Sequence, residues 1–325
     1  MAVTLSSPVV ERYRRFSLYN SPYPAHDAGC AVDFYPETND GISPVSGEVI
    51  DTKSVRAPPK PYAVEQDNLI LVAVDEANSP GVRVDGAETT GGDDGDDESD
   101  YVARILHVDP AVEPGDYVEA GESLGEMVRS GFFGQWVDNH VHLGFRHTGQ
   151  NPYRAGGSLP VSLDVPVEPL AWDGSGTVVE VGETYALLDA PSHPDPGAYF
   201  AGIADDDGRI LDGGLAHYDG GGVLSPTPDD EARAADTSDA IDESDEPDTS
   251  LSFLGFPVGV ASGRDVRWNS FDVVANSERA TGLSLFLAQD PNFGAKLVFH
   301  TGHQFAVGDV VRVELSPSDD PIRLG

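Results

Sequence analysis

Two histidines separated by one residue form the part of this sequence best suited to chemistry. His140 and His142 lie in the run NHVHLGF, residues 139–145. Because alternate side chains of a β-strand point to the same face, this run predicts a strand that presents both imidazoles side by side. A catalytic zinc ion takes three protein ligands from His, Asp or Glu and keeps a fourth position for water. The pair therefore indicates either half of a metal site or an exposed polar strand face that binds no metal.

Strand patterns dominate the rest of the sequence. Gly and Pro are frequent, at 36 and 25 residues, and the apolar runs are short, alternating and bounded by turn residues, which is typical of β structure. We expect strands over residues 25–34, over residues 69–74 with both faces buried, and over residues 101–108. Residues 112–125 predict a hairpin of two short strands with glycine turns. The sequence therefore indicates a mainly β protein.

The length of 325 residues allows two domains, each with its own core. We expect a β domain over residues 1–160 and a β extension, or the start of a second domain, over residues 161–224. A C-terminal β segment of that second domain should cover residues 251–325. Residues 225–250 are rich in Asp, Glu, Ser, Thr and Pro, which predicts a disordered linker or loop. The acidic run at residues 91–98 predicts a solvated loop for the same reason.

The charge balance is strongly acidic, with 56 Asp and Glu against 19 Lys and Arg and a formal net charge of −37. This composition resembles that of proteins from salt-loving archaea, in which such a surface keeps the protein soluble because concentrated salt screens the repulsion. The charge itself therefore indicates no particular activity. A surface this negative repels nucleic acid and anionic lipid, and we expect neither as a partner.

Cysteine usage and hydropathy bear on the compartment. Cys30 is the only cysteine, which excludes an intrachain disulfide and a thiolate zinc cluster and fits a reducing interior. No apolar run of signal-peptide type follows the arginines near the N-terminus, and no later run is long enough to cross a membrane. We expect a soluble, cytoplasmic protein.

A series of motifs over residues 20–150 resembles a known family. A segment with His26 and Asp33, a Pro-Val-x-Gly-x-Val turn at residues 44–49, an apolar strand, His107 before a Gly-Asp hairpin, and a His-x-His-Leu-x-Phe strand follow one another. This order resembles that of the lysostaphin-type zinc metallopeptidases. The resemblance implies a duplicated hybrid motif, or barrel-sandwich, domain, followed in this chain by a small all-β domain.

The resemblance also implies roles for individual residues. By position, Asp33 and His142 match two zinc ligands of the family, and His140 matches its catalytic histidine. His107 stands where an auxiliary catalytic histidine of the family lies. A zinc ion in this site would activate water, His140 could take its proton, and His107 could stabilise charge that develops on the carbonyl oxygen.

The first zinc ligand of the family is displaced in this chain. It normally stands four residues before the Asp, where this chain has Gly29, and the nearest histidine is His26, seven residues before Asp33. Residues seven apart on a regular strand point to opposite faces. We expect a turn at residues 27–29 to return His26 to the metal, which gives His26, Asp33 and His142 as the ligand set.

Three functions follow from these observations. The first is a zinc-dependent metallopeptidase-like protein that hydrolyses a peptide amide bond, with a peptide or small-molecule substrate whose identity the resemblance does not transfer. The second is a non-catalytic binding or assembly module that keeps the fold without the chemistry. The third is a histidine phosphocarrier, in which one histidine receives a phosphoryl group. A lipoyl or biotin carrier is excluded because it needs a hairpin lysine, and no lysine lies between Lys60 and Lys296.

Overall fold

A computed structural model describes residues 2–27, 29–84, 100–224 and 248–324. The chain forms two compact units, the first made of residues 1–16, 28–134 and 138–164 and the second of residues 17–27, 135–137 and 165–325. Nearly all of their regular secondary structure is β-strand, so the predicted mainly β, two-domain fold is confirmed. The acidic run at 91–98 and residues 225–247 of the expected linker lie outside the described residues. The last part of that expected linker enters a strand that begins at Thr249.

The first 164 residues contain thirteen strands, two four-residue helices and one 3₁₀ turn among those described. In chain order they are β1 (Val3–Ser6), α1 (Ser7–Val10), β2 (Arg15–Ser17), α2 (Pro24–Asp27), β3 (Ala31–Tyr35), β4 (Asp40–Ile42), β5 (Gly47–Val55), β6 (Asp67–Val74), a 3₁₀ turn (Glu76–Asn78), β7 (Val82–Val84), β8 (Tyr101–Leu106), β9 (Val108–Pro110), β10 (Tyr117–Val118), β11 (Ser123–Met127), β12 (Val141–His147) and β13 (Val161–Asp164).

Six strands of the first unit pair in the order β10-β5-β6-β8-β12-β3, and every pair is antiparallel. Two three-stranded sheets accompany them, β13-β1-β7 and β4-β11-β9. In the six-stranded sheet β12 lies between β8 and β3, so that His142 is opposite Leu106 on one side and Asp33 on the other. The pairing of β12 with β3 therefore brings the second histidine of the pair next to a carboxylate 109 residues away in the sequence.

The central strands of this sheet are buried on both faces. β12 and β3 are buried along nearly their whole length, and six of the eight residues of β6 are buried. Phe34, Ile70, Leu143 and Phe145 are all fully enclosed. Each such side chain contributes about 1.5–3 kcal/mol when it leaves water. This apolar packing fixes the strands that carry the candidate site, and it confirms the prediction of a doubly buried strand at 69–74.

The strand predicted over residues 25–34 is wrong in its first half. His26 lies in α2, and β3 begins only at Ala31. Between them, Gly29 has a φ of 56°, a left-handed conformation that a glycine adopts without steric penalty. The helical turn and this glycine interrupt the strand at the place where the sequence predicted a turn. The alternation rule therefore does not apply between His26 and Asp33.

The hairpin predicted over residues 112–125 is also wrong in its pairing. β10 and β11 form where short strands were expected, but β10 pairs with β5, and β11 pairs with β4 and β9. The connection between them is bonded to the segment before β5, where Gly121 N–H donates to the carbonyl of Ser43. The hydrogen-bonding groups of both strands are therefore satisfied by other parts of the unit, and not by each other.

The strand predicted over residues 101–108 ends early. β8 stops at Leu106, and His107 has a φ of 72° before β9 begins at Val108. A positive φ in a residue other than glycine costs of order 1–3 kcal/mol and persists only where its surroundings enforce it. His107 therefore occupies a sharp break between two strands.

Strands also make up the second unit. They are β14 (Val167–Leu170), β15 (Ser175–Val181), β16 (Tyr185–Leu188), β17 (Phe200–Ile203), β18 (Ile210–Leu215), β19 (Gly220–Leu224), β20 (Thr249–Phe253), β21 (Phe256–Ser262), β22 (Asp265–Trp268), β23 (Phe271–Ala275), β24 (Glu278–Ala280), β25 (Gly282–Leu285), β26 (Leu287–Ala288), β27 (Lys296–Val298) and β28 (Val310–Pro317).

Twelve of these strands form one sheet in the order β20-β21-β22-β19-β18-β25-β27-β16-β15-β28-β23-β24. β17 pairs with β26 and, in parallel, with β14. The sheet encloses an apolar core that includes Phe253, Trp268, Phe271 and Leu283. The range expected to form a C-terminal β segment, residues 251–325, contains strands from β20 through β28. Among the described residues of the whole chain, no helix has the length and hydrophobicity needed to cross a membrane.

Candidate metal centre

The side chains of His140 and His142 converge on one carboxylate. His142 Nδ1 lies 2.9 Å from Asp33 Oδ1, and His140 Nε2 lies 3.5 Å from Asp33 Oδ2. All three residues are buried, with exposures of 1%, 8% and 2% for His140, His142 and Asp33. Both imidazoles therefore lie on the same face, as the His-x-His alternation predicted, although His140 stands one residue before β12 begins.

The backbone fixes the proton of His140. Its Nδ1 lies 2.9 Å from the carbonyl oxygen of Asp138, which can only accept a hydrogen bond. Nδ1 must therefore carry a proton, and in the neutral ring Nε2 has a lone pair. This is the nitrogen that lies towards Asp33. His140 thus has the tautomer of a proton acceptor, as a general base requires.

His26 is oriented by a similar contact. Its Nδ1 lies 2.6 Å from the carbonyl oxygen of Leu18, and the side chain is buried. Nδ1 must again be the donor, which leaves Nε2 as the nitrogen available to a metal. Histidines that bind metals usually donate their other N–H in this way, to a backbone carbonyl or a carboxylate.

The three expected ligands do not all belong to one unit. Asp33 and His142 lie in the first unit, whereas His26 lies in residues 17–27, which belong to the second. Within the first unit, the buried Asp33 and His142 supply one carboxylate and one imidazole, which are two of the ligand types that a catalytic zinc ion takes.

His107 lies beside this group and has its own carboxylate partner. Its ring centroid is 4.9 Å from that of His140 and 5.7 Å from that of His142. Its Nδ1 lies 2.5 Å from Oδ2 of Asp67, a residue whose side chain is fully buried. The ring of Phe133 packs edge-on against His107 and lies 4.5 Å from the ring of His140. The structure thus brings His107 to the site.

Asp67 holds its charge despite burial. Burial alone would raise the pKa of its carboxyl group, but the hydrogen bonds from His107 and Ser130 oppose that rise. Together with the backbone N–H of Asn68, they lower the pKa below its ordinary value. A carboxylate that accepts several hydrogen bonds is stabilised in its charged form. Asp67 is therefore an anion next to His107.

Asp67 and Ser130 are the residues of this region that the sequence analysis missed. Asp67 stands in the polar stretch before the apolar run of β6 and reads locally as part of a turn. No local sequence signal identifies this contact. β6 and β8 are neighbours in the sheet and pair Leu69 with Leu106, and that register places Asp67, at the start of β6, near His107, just after the end of β8. Only the strand order reveals this pairing.

His300 and His303, two histidines of the second unit, have structural partners. His300 Nδ1 lies 2.7 Å from Thr281 Oγ1, and His303 Nε2 lies 2.9 Å from the carbonyl oxygens of Gly182 and Tyr185. These contacts tie the turn after β27 to neighbouring segments of the same unit. Both residues therefore have structural roles.

Comparisons with known proteins give a family without an assigned activity. The model of the family described as "Domain of unknown function (DUF8155) N-terminal domain" matches residues 4–163. The model of the corresponding C-terminal domain matches residues 168–316. Neither the curated proteins nor the solved structures contain a match to this chain. The two matched ranges follow the two units of the fold except at residues 17–27 and 135–137, which fall within the first range but belong to the second unit.

Proposed function

The chain belongs to the DUF8155 family, and we propose that it is a zinc-dependent metallopeptidase-like hydrolase that cleaves a peptide amide bond. The observation that carries this proposal is the convergence of two buried histidines on one buried carboxylate, with His142 Nδ1 2.9 Å from Asp33 Oδ1 and His140 Nε2 3.5 Å from Asp33 Oδ2. The resemblance of the motif order to lysostaphin-type peptidases, and to their duplicated hybrid motif fold, supports the same conclusion.

The residues around this group supply the remaining parts of such a reaction. A bound zinc ion would polarise the scissile carbonyl and lower the pKa of a water towards neutrality. His140, held by the Asp138 carbonyl with its Nε2 lone pair towards Asp33, is placed to take a proton from that water. His107 stands next to it with a buried anionic partner. Removing such an acid–base group costs typically 10²- to 10⁴-fold in rate.

We also propose a compartment and a class of partners for this protein. A single cysteine fits a reducing cytoplasm, and we place the protein there. Its net charge of −37 disfavours nucleic acid and anionic lipid as partners. A peptide or a small molecule with an amide bond remains as the substrate class.

The main alternative is a non-catalytic module that keeps the metal or the fold but not the chemistry. The displaced first ligand favours it, because His26 comes from a short helix and not from the strand position four residues before Asp33. A histidine phosphocarrier is a weaker candidate. Its imidazole has to reach another protein, whereas His140 and His142 are only 1% and 8% exposed.

Metal content and peptide hydrolysis test the proposal together. The full chain is purified without chelators, its zinc is measured by mass spectrometry, and the zinc-loaded protein is assayed on a mixed library of internally quenched peptides. About one zinc per chain and a chelator-sensitive hydrolysis are expected, and His140→Ala should keep the zinc and lose the hydrolysis. Zinc without hydrolysis would favour the non-catalytic module. Failure to bind zinc even after loading would overturn the proposal.

A further inference from the structure

Asp67 holds His107 at two points. Its Oδ1 accepts the backbone N–H of His107 at 3.1 Å, and its Oδ2 accepts Nδ1–H of the same residue at 2.5 Å. The side chains of Asp67 and His107 are 0% and 6% exposed. Both the left-handed backbone of His107, with its φ of 72°, and the orientation of its ring are therefore determined by one buried carboxylate.

The other contacts of Asp67 leave it no role except that of an acceptor. Oδ1 also accepts the backbone N–H of Asn68 at 2.7 Å, and Oδ2 also accepts the hydroxyl of Ser130 at 2.6 Å. Each oxygen thus receives two hydrogen bonds, which uses the capacity of an ionised carboxylate. Because an ionised carboxylate cannot donate, the proton between it and the ring has to reside on Nδ1 of His107.

We infer that Asp67 is the positioning residue that keeps the proton of His107 on Nδ1 and thereby presents Nε2 as a proton-accepting nitrogen beside His140. This inference rests on the proposed hydrolytic function for its consequence, but the tautomer itself does not depend on that function. The His107 ring lies beside those of His140 and His142, with centroid distances of 4.9 and 5.7 Å, so Asp67 determines the tautomer of a ring that borders the candidate site.

The consequence changes the expected role of His107. A neutral ring with its proton on Nδ1 accepts a hydrogen bond through Nε2 and becomes a donor there only after it has taken a proton. His107 is therefore, like His140, a proton acceptor at the start of the reaction. When a proton moves from a water to Nε2, the O–H bond breaks, the oxygen keeps the electron pair as hydroxide, and the positive ring that results is balanced by the Asp67 carboxylate. Only in that form can His107 stabilise negative charge on a carbonyl oxygen.

Asp67→Asn reverses this arrangement with almost no change in shape. Two backbone N–H groups, from Asn68 and His107, point at the Oδ1 position, so the amide oxygen of the new side chain has to lie there. Its NH₂ group then occupies the Oδ2 position and faces the ring and Ser130. Since NH₂ only donates, Nδ1 of His107 has to become an acceptor, and the proton has to move to Nε2.

Nitrogen-15 NMR measures the tautomer directly. Long-range ¹H–¹⁵N correlation spectra are recorded on the full chain with labelled histidine, at about pH 8.5, where histidine is ordinarily neutral. His107→Gln assigns the signal among the nine histidines. The wild type should show the proton on Nδ1, and Asp67→Asn should show it on Nε2. Ser130→Ala removes only one donor to Asp67 and should keep the wild-type tautomer.

The kinetic readout separates positioning from general support of the fold. In Asp67→Asn, kcat for peptide hydrolysis should fall about 10²- to 10⁴-fold, the range for loss of an acid–base group, while KM and zinc content stay as in the wild type. The matched control is Asp116→Asn. Asp116 is an exposed carboxylate of the same unit that accepts the backbone N–H of Glu113, and its variant should change neither the tautomer nor kcat.

The outcomes distinguish this inference from the proposed function. A wild-type spectrum with the proton on Nε2 overturns the role of Asp67, even if Asp67→Asn does not fold. An unchanged tautomer in a folded Asp67→Asn does the same. Spectra of the zinc-free protein decide the tautomer independently, so a wild type that binds no zinc but shows the expected tautomers would overturn only the hydrolytic function.

Discussion

Replacement of His142 by alanine is the most direct test of the metal centre. In the zinc-free protein, His142→Ala removes the donor that lies 2.9 Å from Asp33 Oδ1, and Asp33 is only 2% exposed. Loss of one partner of a buried hydrogen-bonding group costs about 1–3 kcal/mol. The variant should therefore fold with a modest loss of stability, since the apolar core of β12 remains in place.

The larger effect appears only when zinc is present. At free zinc 100 times the dissociation constant, binding stabilises a native protein by about 2.7 kcal/mol. For a unit of this size, 1 kcal/mol corresponds to a shift in Tm of roughly 2–4 °C. Zinc should therefore raise the Tm of the first unit by roughly 5–11 °C in the wild type. His142→Ala should lose this increment, because it removes one of three ligands.

Differential scanning calorimetry with and without zinc, combined with metal analysis, provides the measurement. His147→Ala is the matched control. His147 lies on the same strand, an odd number of residues from His142 and thus on its other face, and its ring packs against Tyr101 at 5.0 Å. That variant should keep the zinc-dependent increment. If His142→Ala retains about one zinc per chain and the full increment, the assignment of His142 as a ligand is wrong.

Three further predictions follow from other parts of the chain. In a zinc titration, His26→Ala should lower zinc affinity about 10-fold or more. Gly29→His should leave zinc affinity nearly unchanged, because Gly29, with a φ of 56°, lies in a turn and not on the strand that carries Asp33. The opposite pattern would show that His26 is not a zinc ligand. Burial raises the pKa of Asp212 from 3.8 to about 6, so its contribution to stability is present below pH 3.8 and is lost as the pH rises through about 6. Urea unfolding should therefore show Asp212→Asn gaining about 3 kcal/mol on the wild type between about pH 3 and pH 7.5, and a constant difference would contradict this. Gly125→Ala should lower the unfolding free energy by about 3 kcal/mol or more, because the new Cβ would lie 2.0 Å from a backbone carbonyl oxygen. Gly115→Ala should cost only about 1 kcal/mol, because no atom lies within 4 Å of the position of its new Cβ. Equal losses in the two variants would refute the steric argument.

The fold class and the His-x-His pair could be predicted from the sequence because both depend on local periodicity. Alternation with a period of two is a property of adjacent residues, and it placed His140 and His142 on one face without any knowledge of the sheet. The continuous apolar run at 69–74 predicted a doubly buried strand for the same reason. Such patterns survive in any tertiary context that keeps the strand.

The tertiary structure decided where these strands pair and where they break. The pairing of β10 with β5 and of β11 with β4 and β9 replaced the expected hairpin, because either strand could satisfy its backbone groups with several partners. The helix that carries His26 is only four residues long, too short to leave a periodic pattern. Its position relative to Asp33 therefore could not be read from spacing alone.

The partnership of Asp67 and His107 shows the limit most clearly. The two residues are 40 positions apart, and neither has neighbours in the sequence that identify the other. Their contact exists because β6 and β8 are adjacent in the sheet, and because a left-handed residue ends β8 where β6 begins. Residue types and local spacing thus determined which side chains could do chemistry, while sheet order determined which of them meet, since hydrogen bonds between strands do not depend on distance along the chain.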